Sequence, residues 1–293
     1  AENLRLQDRM TGLLRNRLQE QGALSLETIQ TKPVFSSSVL QDLIADSPNR
    51  ARNLIEDLMV AANGVVARFF AAKKIPSLRR VVRVPTHWDR IVEIAATRGT
   101  TLPAAPDAPA LEKFLCLQRE ADPLRFPDLS LTIIKLMGAG EYVVEQPGQA
   151  PTGHFGLAVR DYTHSTAPNR RYPDLISQRM LKAAIAGKPL PYSTSELEAL
   201  ALRCTEQEDA AKKVERQVSK SAAALLLAGR IGDRFNALVT GASDKGTWVR
   251  LLRPPVEGRL ISGVEGRKIG DTRKVQLVSV DVQRGYIDLR AVS

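Results

Sequence analysis

The pattern of apolar residues changes at Gly232, and this change constrains the fold more than any other feature of the chain. Beyond it, short alternating runs recur between turn residues and cover 235–240, 247–252, 256–261, 274–281 and 286–290. About five short strands in roughly sixty residues predict a small closed barrel of the OB type. Ahead of Gly232, apolar residues recur mostly at helical spacing. We therefore predict an α+β protein with two domains, residues 1–229 and 230–293.

Helices dominate the prediction for the first domain. Apolar residues at helical spacing, with breakers between the segments, predict helices over 4–18, 49–72, 86–97, 109–118, 127–137, 175–187 and 193–229. A short helix is also predicted over 37–44 and a short strand over 23–29. Residues 77–84 are predicted to be extended, and a strand at 142–145 is expected to pair with one at 155–159.

Charge points to a polyanionic partner. The formal net charge is +10 and the pI is near 9.8, which make nucleic acid the first candidate. The two cysteines and three histidines have no zinc-site spacing, and such unpatterned cysteines fit the reducing cytoplasm. No apolar run approaches the roughly twenty residues of a membrane span, so no membrane partner is expected.

The segment from Gly153 to Arg179 has the composition of an anion site. A predicted strand is followed by a polar loop that contains Arg170 and Arg171, and the predicted helix comes next. Guanidinium groups and unpaired amides at a helix N-terminus both suit phosphate or carboxylate oxygens. The residues alone do not distinguish between these two anions.

Residues 162–175, YTHSTAPNRRYPDL, resemble the signature of the ribonuclease II / ribonuclease R exonuclease family, the RNB domain. The family has other residues where this chain has Ser165, Ala167 and Asn169. The resemblance implies a hydrolytic 3′→5′ exoribonuclease in which Arg170 stabilises the transition state at the scissile phosphate. It also implies RNA contacts by Tyr162, His164, Thr166, Arg171 and Tyr172. The alternative is a structural knot in which Asp174 pairs with an arginine.

The predicted helix over 49–72 resembles a family helix whose acidic residue contacts the ribose of the 3′-terminal nucleotides. Glu56 is the first candidate for this RNA contact and Asp57 the second. Asn63 lies seven residues after Glu56, on the same side of the helix, and is a further candidate. The alternative is an acidic solvent face near the helix N-terminus, where the dipole favours negative charge.

Two other basic segments are candidates for RNA contact. Residues 77–84 carry three arginines that either line a nucleic-acid channel or are simply solvated. The second domain resembles an S1 RNA-binding domain, in which aromatic rings stack on bases and basic side chains follow the phosphates. The candidates are Phe235, Trp248 and Tyr286 for stacking and Lys245, Arg250 and Arg259 for phosphates. The alternative is that Phe235 and one other aromatic ring belong to the core.

The family hydrolyses RNA with divalent metal held by closely spaced aspartates, and the aspartates of this chain are scattered. In the family that cluster precedes the helix that opens this chain. We therefore expect a C-terminal part of a larger protein, with Mg²⁺ bound mainly by aspartates outside this chain. The expected partners are single-stranded RNA and an N-terminal segment that carries those aspartates. The alternative is a non-catalytic RNA-binding protein with the same two domains; a DNA-directed enzyme is a third possibility.

Overall fold

The computed structural model describes residues 2–46, 49–243, 246–263 and 270–292. The chain forms two compact units. The first unit contains Ala1–Glu27 and Pro48–Glu208, and the second contains Thr28–Ser47 and Asp209–Ser293. Within the described residues, no helix is long and apolar enough to cross a membrane.

Helices and strands alternate irregularly along the chain. The helices are α1 (Glu2–Glu20), α2 (Arg50–Ala72), α3 (Trp88–Ala96), α4 (Ala108–Ala121), α5 (Phe126–Met137), α6 (Tyr172–Ile185) and α7 (Thr194–Leu227). The strands are β1 (Thr31–Ser36), β2 (Val39–Ala45), β3 (Ser77–Val81), β4 (Glu141–Glu145), β5 (Arg234–Ser243), β6 (Gly246–Leu251), β7 (Glu257–Ser262), β8 (Thr272–Asp281) and β9 (Tyr286–Val292).

The first unit has two apolar clusters. One joins α3, α4 and α5 through residues that include Ile91, Phe114 and Ile133. The other joins α2, β3, β4, α6 and the start of α7 around Phe70 and Met180. Strands β3 and β4 pair antiparallel, with Ser77 opposite Glu145 and Val81 opposite Glu141. The second cluster thereby fixes α2 and α6 on the same small sheet.

A closed barrel forms the main part of the second unit. Its strand order is β5-β6-β7-β9-β8, and β7 and β9 are parallel whereas the other pairs are antiparallel. The close approach of β7 to β9 requires Gly258, because a Cβ atom there would lie 2.8 Å from Leu289 Cδ1 and 2.9 Å from the carbonyl oxygen of Ile287. Strands β1 and β2 form a separate antiparallel hairpin in the same unit.

The predicted fold class is confirmed, as are the main helices and the five barrel strands. Three local predictions are wrong. Residues 39–45 form strand β2 instead of a helix, because Ser37 and Ser38 adopt positive φ angles of 48° and 69° and reverse the chain after β1. Residues 23–30 have no regular structure. Residues Phe155–Leu157 form a 3₁₀ turn that ends at Ala158 with φ of 51°, so β4 pairs with β3 instead.

Candidate functional site

Residues 162–171, here called the arginine loop, lead directly into helix α6 and are held in place by α2. Asn63 of α2 is fully buried, and its Oδ1 accepts hydrogen bonds from Ser165 N at 2.9 Å and Ser165 Oγ at 3.0 Å. Its Nδ2 donates to the Tyr162 hydroxyl at 3.3 Å. This burial corrects the predicted RNA contact of Asn63, because the protein encloses the amide and uses it to position the loop.

Helix α6 holds the same loop from the other end. Asp174 is fully buried, and its Oδ1 accepts hydrogen bonds from the Ala167 N–H at 2.9 Å and from Arg171 Nη2 at 2.7 Å. Gln178 Nε2 donates to the Ser165 carbonyl at 2.7 Å. Asp174 therefore forms its ion pair with Arg171, and Arg170 takes no part in that pair. Gln178 is not among the predicted residues, although its position one turn after Asp174 places both on the same face of α6.

The side chain of Arg170 is free to meet a ligand. The residue is exposed, its backbone N–H bonds to the Ala167 carbonyl at 3.2 Å, and its guanidinium has no ion-pair partner in the part of the chain that the structure describes. Helix α6 begins two residues later with the exposed Tyr172. An unpaired guanidinium beside the positive end of a helix attracts anions such as phosphate. This arrangement is able to neutralise negative charge that develops on a bound phosphate group.

Tyr162 and His164 belong to a packed group of aromatic rings. Their ring centroids are 5.7 Å apart, and Tyr142 and His154 make similar edge contacts with them. The Tyr142 hydroxyl and His164 Nδ1 are 2.8 Å apart. Tyr162 is buried and His164 is half-buried, so the predicted RNA contacts have little accessible surface to use. Thr166 is also half-buried, and its Oγ1 has no hydrogen-bond partner among the described residues.

The two histidines of this group are neutral near pH 7. Burial, followed by the charges of Arg171 and Arg80, lowers the pKa of His164 to about 3. Burial, followed by the charge of Arg80, lowers the pKa of His154 to about 4. Burial also raises the pKa of the Tyr142 hydroxyl. The group therefore contributes no positive charge of its own, and the positive charge at the loop comes from arginines.

The arginines of β3 are neither open to a channel nor solvated. Arg79 is buried and pairs with Glu145 at 2.7 Å. Arg80 is buried, pairs with Glu208 at 2.7 Å and lies over the Tyr142 ring with its Cζ 4.8 Å from the ring centroid. Only Arg83, just beyond β3, is exposed, and it pairs with Glu141 at 2.5 Å. These contacts make Arg79 and Arg80 structural.

The two acidic candidates on α2 have different surroundings. Asp57 is buried and forms a two-point ion pair with Arg15 of α1, at 2.5 Å between Arg15 Nη2 and Asp57 Oδ2. This pairing corrects its predicted RNA contact, because the carboxylate joins two helices. Glu56 is exposed and stays a candidate for an RNA contact.

The barrel candidates divide into core and surface residues. Phe235 is buried in the barrel core with the Arg230 guanidinium 4.6 Å from its ring centroid, so the alternative core role applies to it. Tyr286 is 58% exposed, Arg259 is exposed and Trp248 is half-buried, and all three line one cavity of about 420 Å³. Arg250 is buried in β6. Lys245 lies outside the described residues.

The described residues do not fit a Mg²⁺ site. Divalent metals that act on phosphates need several carboxylate or carbonyl oxygens close together. Among the residues that the structure describes, no group of three or more His, Cys, Asp or Glu side chains is placed to hold a metal ion. Two carboxylates of this unit are also engaged, since Asp174 pairs with Arg171 and Glu208 with Arg80.

The matches to curated relatives cover nearly the whole chain, but each relative is much longer than the chain. Ribonuclease R from Aquifex aeolicus is 26% identical over the whole chain, which covers 44% of that relative. Ribonuclease R from Escherichia coli is 26% identical over 94% of the chain, and ribonuclease R 1 from Lactococcus lactis is 25% identical over 98% of it. Each match covers 38% of the relative. The chain therefore spans about two fifths of the length of these relatives.

Solved structures show the same fold. The apo form of Mycoplasma genitalium RNase R superposes with a TM-score of 0.86 at 21% identity, over 99% of this chain and 49% of that one. The same protein has been solved in complex with ribose-methylated single-stranded RNA. An active-site mutant of Dss1 exoribonuclease from Candida glabrata superposes with a TM-score of 0.75 at 19% identity, over 100% of this chain and 35% of that one.

Two family models match separate parts of the sequence. The model described as RNB domain matches residues 1–187, and the model described as RNase II-type exonuclease C-terminal S1 domain matches residues 233–292. The arginine loop falls in the first match and the cavity residues Trp248, Arg259 and Tyr286 in the second. The chain thus belongs to the RNB-domain exoribonuclease family and ends in an S1 domain of the RNase II type.

Proposed function

We propose that this chain supplies the arginine half of the active site of a hydrolytic 3′→5′ exoribonuclease. The substrate is single-stranded RNA and the products are nucleoside 5′-monophosphates. The observation that carries this proposal is the exposed guanidinium of Arg170 on a loop that buried residues of α2 and α6 hold at Ser165 and Ala167. A group that must stabilise a short-lived charge benefits from being fixed before the reaction begins.

The role of Arg170 follows from this geometry. Asn63, Asp174 and Gln178 hold the loop backbone at Ser165 and Ala167, a few residues before Arg170. Because Arg171 is occupied by Asp174, Arg170 is the loop arginine that is available to a phosphate. The positive charge of Arg170 offsets the negative charge that builds up on the scissile phosphate in the transition state. Arg170 binds the phosphate of the ground state less strongly than that of the transition state.

The S1 barrel binds the RNA strand ahead of the scissile bond. Tyr286 and Trp248 offer ring faces or edges at one cavity, and Arg259 offers a positive charge beside them. Stacking on aromatic rings tolerates any base, as an enzyme that removes successive nucleotides requires. The likeness of the fold to an RNase R solved with single-stranded RNA supports this role.

The metal half of the site belongs to residues outside the described part of this chain. Mg²⁺ ions supply charge neutralisation and an activated water in hydrolysis of this class. Since the described carboxylates do not form a metal site, we assign Mg²⁺ binding to an aspartate-bearing segment that precedes this sequence or is a separate polypeptide.

The lack of a metal site among the described residues also supports a second candidate function, a non-catalytic RNA-binding protein. One experiment separates the two. The chain is produced alone and together with the aspartate-bearing segment, and each preparation receives uniformly radiolabelled single-stranded RNA with Mg²⁺ or with EDTA. The proposal predicts mononucleotide release only by the combined preparation with Mg²⁺, and RNA binding by the chain alone. RNA binding without degradation in every preparation supports the second function.

A further inference from the structure

The outer face of the barrel at β5, β8 and β9 carries a group of basic side chains. On β8, Gln276 lies opposite Arg234 of β5 and opposite Arg290 of β9. Residues directly opposite each other in an antiparallel pair share one face of the sheet. Lys274 lies two residues before Gln276 and is therefore on the same face. Arg234, Lys274 and Arg290 are all exposed, and together they are called the basic face here.

The basic face is separate from the barrel cavity that Tyr286 lines. The barrel residues at that cavity come from β6, β7 and the start of β9, whereas the basic face is centred on β8. In the closed strand order β5-β6-β7-β9-β8, strands β7 and β8 are not neighbours. On β9, Asp288 lies between Tyr286 and Arg290, lines the cavity and accepts a hydrogen bond from the Ser279 hydroxyl at 2.9 Å. The barrel therefore presents two distinct polar surfaces.

A neutral partner holds the guanidinium of Arg290 in place. Arg290 Nε and Nη2 both donate to Gln276 Oε1, at 2.9 Å and 2.6 Å. Gln276 is fixed in turn, because its Nε2 donates to the Gly232 carbonyl at 2.7 Å. An amide oxygen orients a guanidinium without compensating its positive charge, and the guanidinium keeps its remaining N–H donors for a ligand. Arg290 is thus prepared to bind an anion such as phosphate.

The other charges of the second unit show that the basic face is unusual there. Three other exposed arginines each lie close to a carboxylate two or three residues away. The pairs, at 2.9, 3.2 and 3.8 Å, are Arg230–Asp233, Arg273–Asp271 and Arg284–Asp281. By contrast, Arg234, Lys274 and Arg290 have no carboxylate partner among the residues that the structure describes. Uncompensated charges of one sign that lie together attract a polyanion.

We propose that the basic face is a second RNA-contact surface, which binds phosphates of the substrate strand on the 5′ side of the segment in the barrel cavity. An OB barrel accommodates only about 4–16 nucleotides at its binding site, so a longer strand extends beyond the cavity. The basic face consists of two arginines and a lysine, which bind the RNA backbone and do not read the bases. The inference rests on the proposed function, because that function identifies RNA as the polyanion.

The test compares binding of a short and a long RNA by the chain. Fluorescence anisotropy in EDTA, over a range of salt concentrations, measures the affinity for labelled single-stranded RNA of about six and about thirty nucleotides. The face variant is Arg234→Gln, Lys274→Gln, Arg290→Gln. Its control is Lys113→Gln, Lys135→Gln, Lys188→Gln, which removes the same charge from exposed lysines of the first unit. Circular dichroism and thermal unfolding check that each variant folds.

The face variant is expected to bind the long RNA about 10-fold more weakly at low salt. The slope of log K against log salt concentration should fall by about 2, since each phosphate contact with a single strand contributes about 0.7. The short RNA should bind as it does to the parent, because it is accommodated by the cavity alone. The control should bind both RNAs like the parent.

A single substitution tests the charge of Arg290 with little change of shape. Gln276→Glu places a carboxylate against the Arg290 guanidinium and compensates its charge. This variant is expected to unfold near the parental temperature and to bind the long RNA about 3-fold more weakly, with a salt slope lower by about 0.7. Parental affinity of Gln276→Glu for the long RNA would exclude Arg290 from the surface.

Parental binding of the long RNA by the face variant, or an equal loss in the control, overturns the basic face as an RNA-contact surface. An equal loss for the short RNA also overturns it, because the three residues would then act through the cavity. Degradation is assayed in the preparation that contains the aspartate-bearing segment. Face-dependent binding without degradation refutes the proposed function and leaves the surface intact, whereas degradation with parental binding by the face variant refutes the surface alone.

Discussion

Asn63 Oδ1 accepts two hydrogen bonds from Ser165, one from the backbone N–H at 2.9 Å and one from the hydroxyl at 3.0 Å. The two residues are 102 positions apart, so this contact fastens the arginine loop to a distant helix. A buried amide in such a position serves the loop geometry, because no part of it is open to RNA.

Replacing Asn63 by alanine is expected to lower the free energy of unfolding by about 1–3 kcal/mol, because buried donors on Ser165 and the Tyr162 hydroxyl lose their partner. Urea denaturation measures the change. Asn169→Ala is the matched control, since Asn169 lies exposed on the same loop, and it is expected to be neutral. A neutral Asn63→Ala would contradict the role of Asn63 in holding the loop.

Asp174 is expected to couple energetically to Arg171 and not to Arg170. In a double-mutant cycle of Asp174→Asn with Arg171→Gln, the coupling energy should be about 1–2 kcal/mol, because the carboxylate is fully buried although the guanidinium is partly exposed. The matched cycle with Arg170→Gln should give about zero. Unfolding free energies of the variants provide both values, and a larger coupling to Arg170 would show that the loop pairing is misassigned.

His164 is expected to make stability depend on pH. Its pKa is lowered from 6.5 to about 3, first by burial and then by Arg171 and Arg80. Its stabilising contribution is complete above the unfolded pKa of 6.5 and declines as the pH falls toward the folded value, because only the unfolded state binds the proton there.

Between pH 7 and pH 5, the parent should therefore lose about 1 kcal/mol more stability than His164→Gln, after allowance for partial exposure of the ring. Urea denaturation at both pH values tests this difference. His87→Gln is the control, since His87 is exposed and lies outside the aromatic group, and it should follow the parent. An identical pH dependence in the parent and His164→Gln would count against the neutral, buried histidine.

Tyr286 is expected to contribute to RNA affinity through stacking. Tyr286→Ala should weaken binding of single-stranded RNA by about 1–3 kcal/mol without changing the unfolding midpoint, since the ring is mostly exposed at the barrel cavity. Phe35→Ala is a matched control, because Phe35 is equally exposed in the same unit but lies on the β1–β2 hairpin. Fluorescence anisotropy with labelled RNA measures both, and equal losses would indicate non-specific contact.

The sequence predicts the parts of the fold that periodicity controls. Strands β5 to β9 alternate strictly enough for a barrel, and α2 has an apolar pattern over its whole length. The hairpin β1–β2 escapes prediction because its turn uses Ser37 and Ser38 at positive φ, where glycine or asparagine is the usual signal. The pairing of β3 with β4 escapes because Ser77 and Glu145 are far apart in the chain.

For the candidate site, the sequence locates the arginine loop, but it does not show which contacts the polar residues of α2 make. Asn63 and Asp57 both resemble RNA ligands from their helical positions. In the structure, however, the Asn63 amide is fully buried and the Asp57 carboxylate pairs with Arg15. Whether a polar side chain faces solvent or another helix depends on which elements meet, and that depends on contacts across the whole unit. The role of Arg170 stays a prediction from the family resemblance, and the structure adds that its side chain is exposed.

The central claim is tested most directly by Arg170→Ala in the preparation that contains the aspartate-bearing polypeptide. Single-turnover degradation of labelled RNA gives the rate, and anisotropy gives the RNA affinity. Arg203→Ala, which removes one exposed arginine charge from α7, is the control. The account predicts a rate about 10²–10³-fold lower for Arg170→Ala with nearly unchanged affinity, and parental behaviour for the control. Degradation by Arg170→Ala at the parental rate would contradict the account.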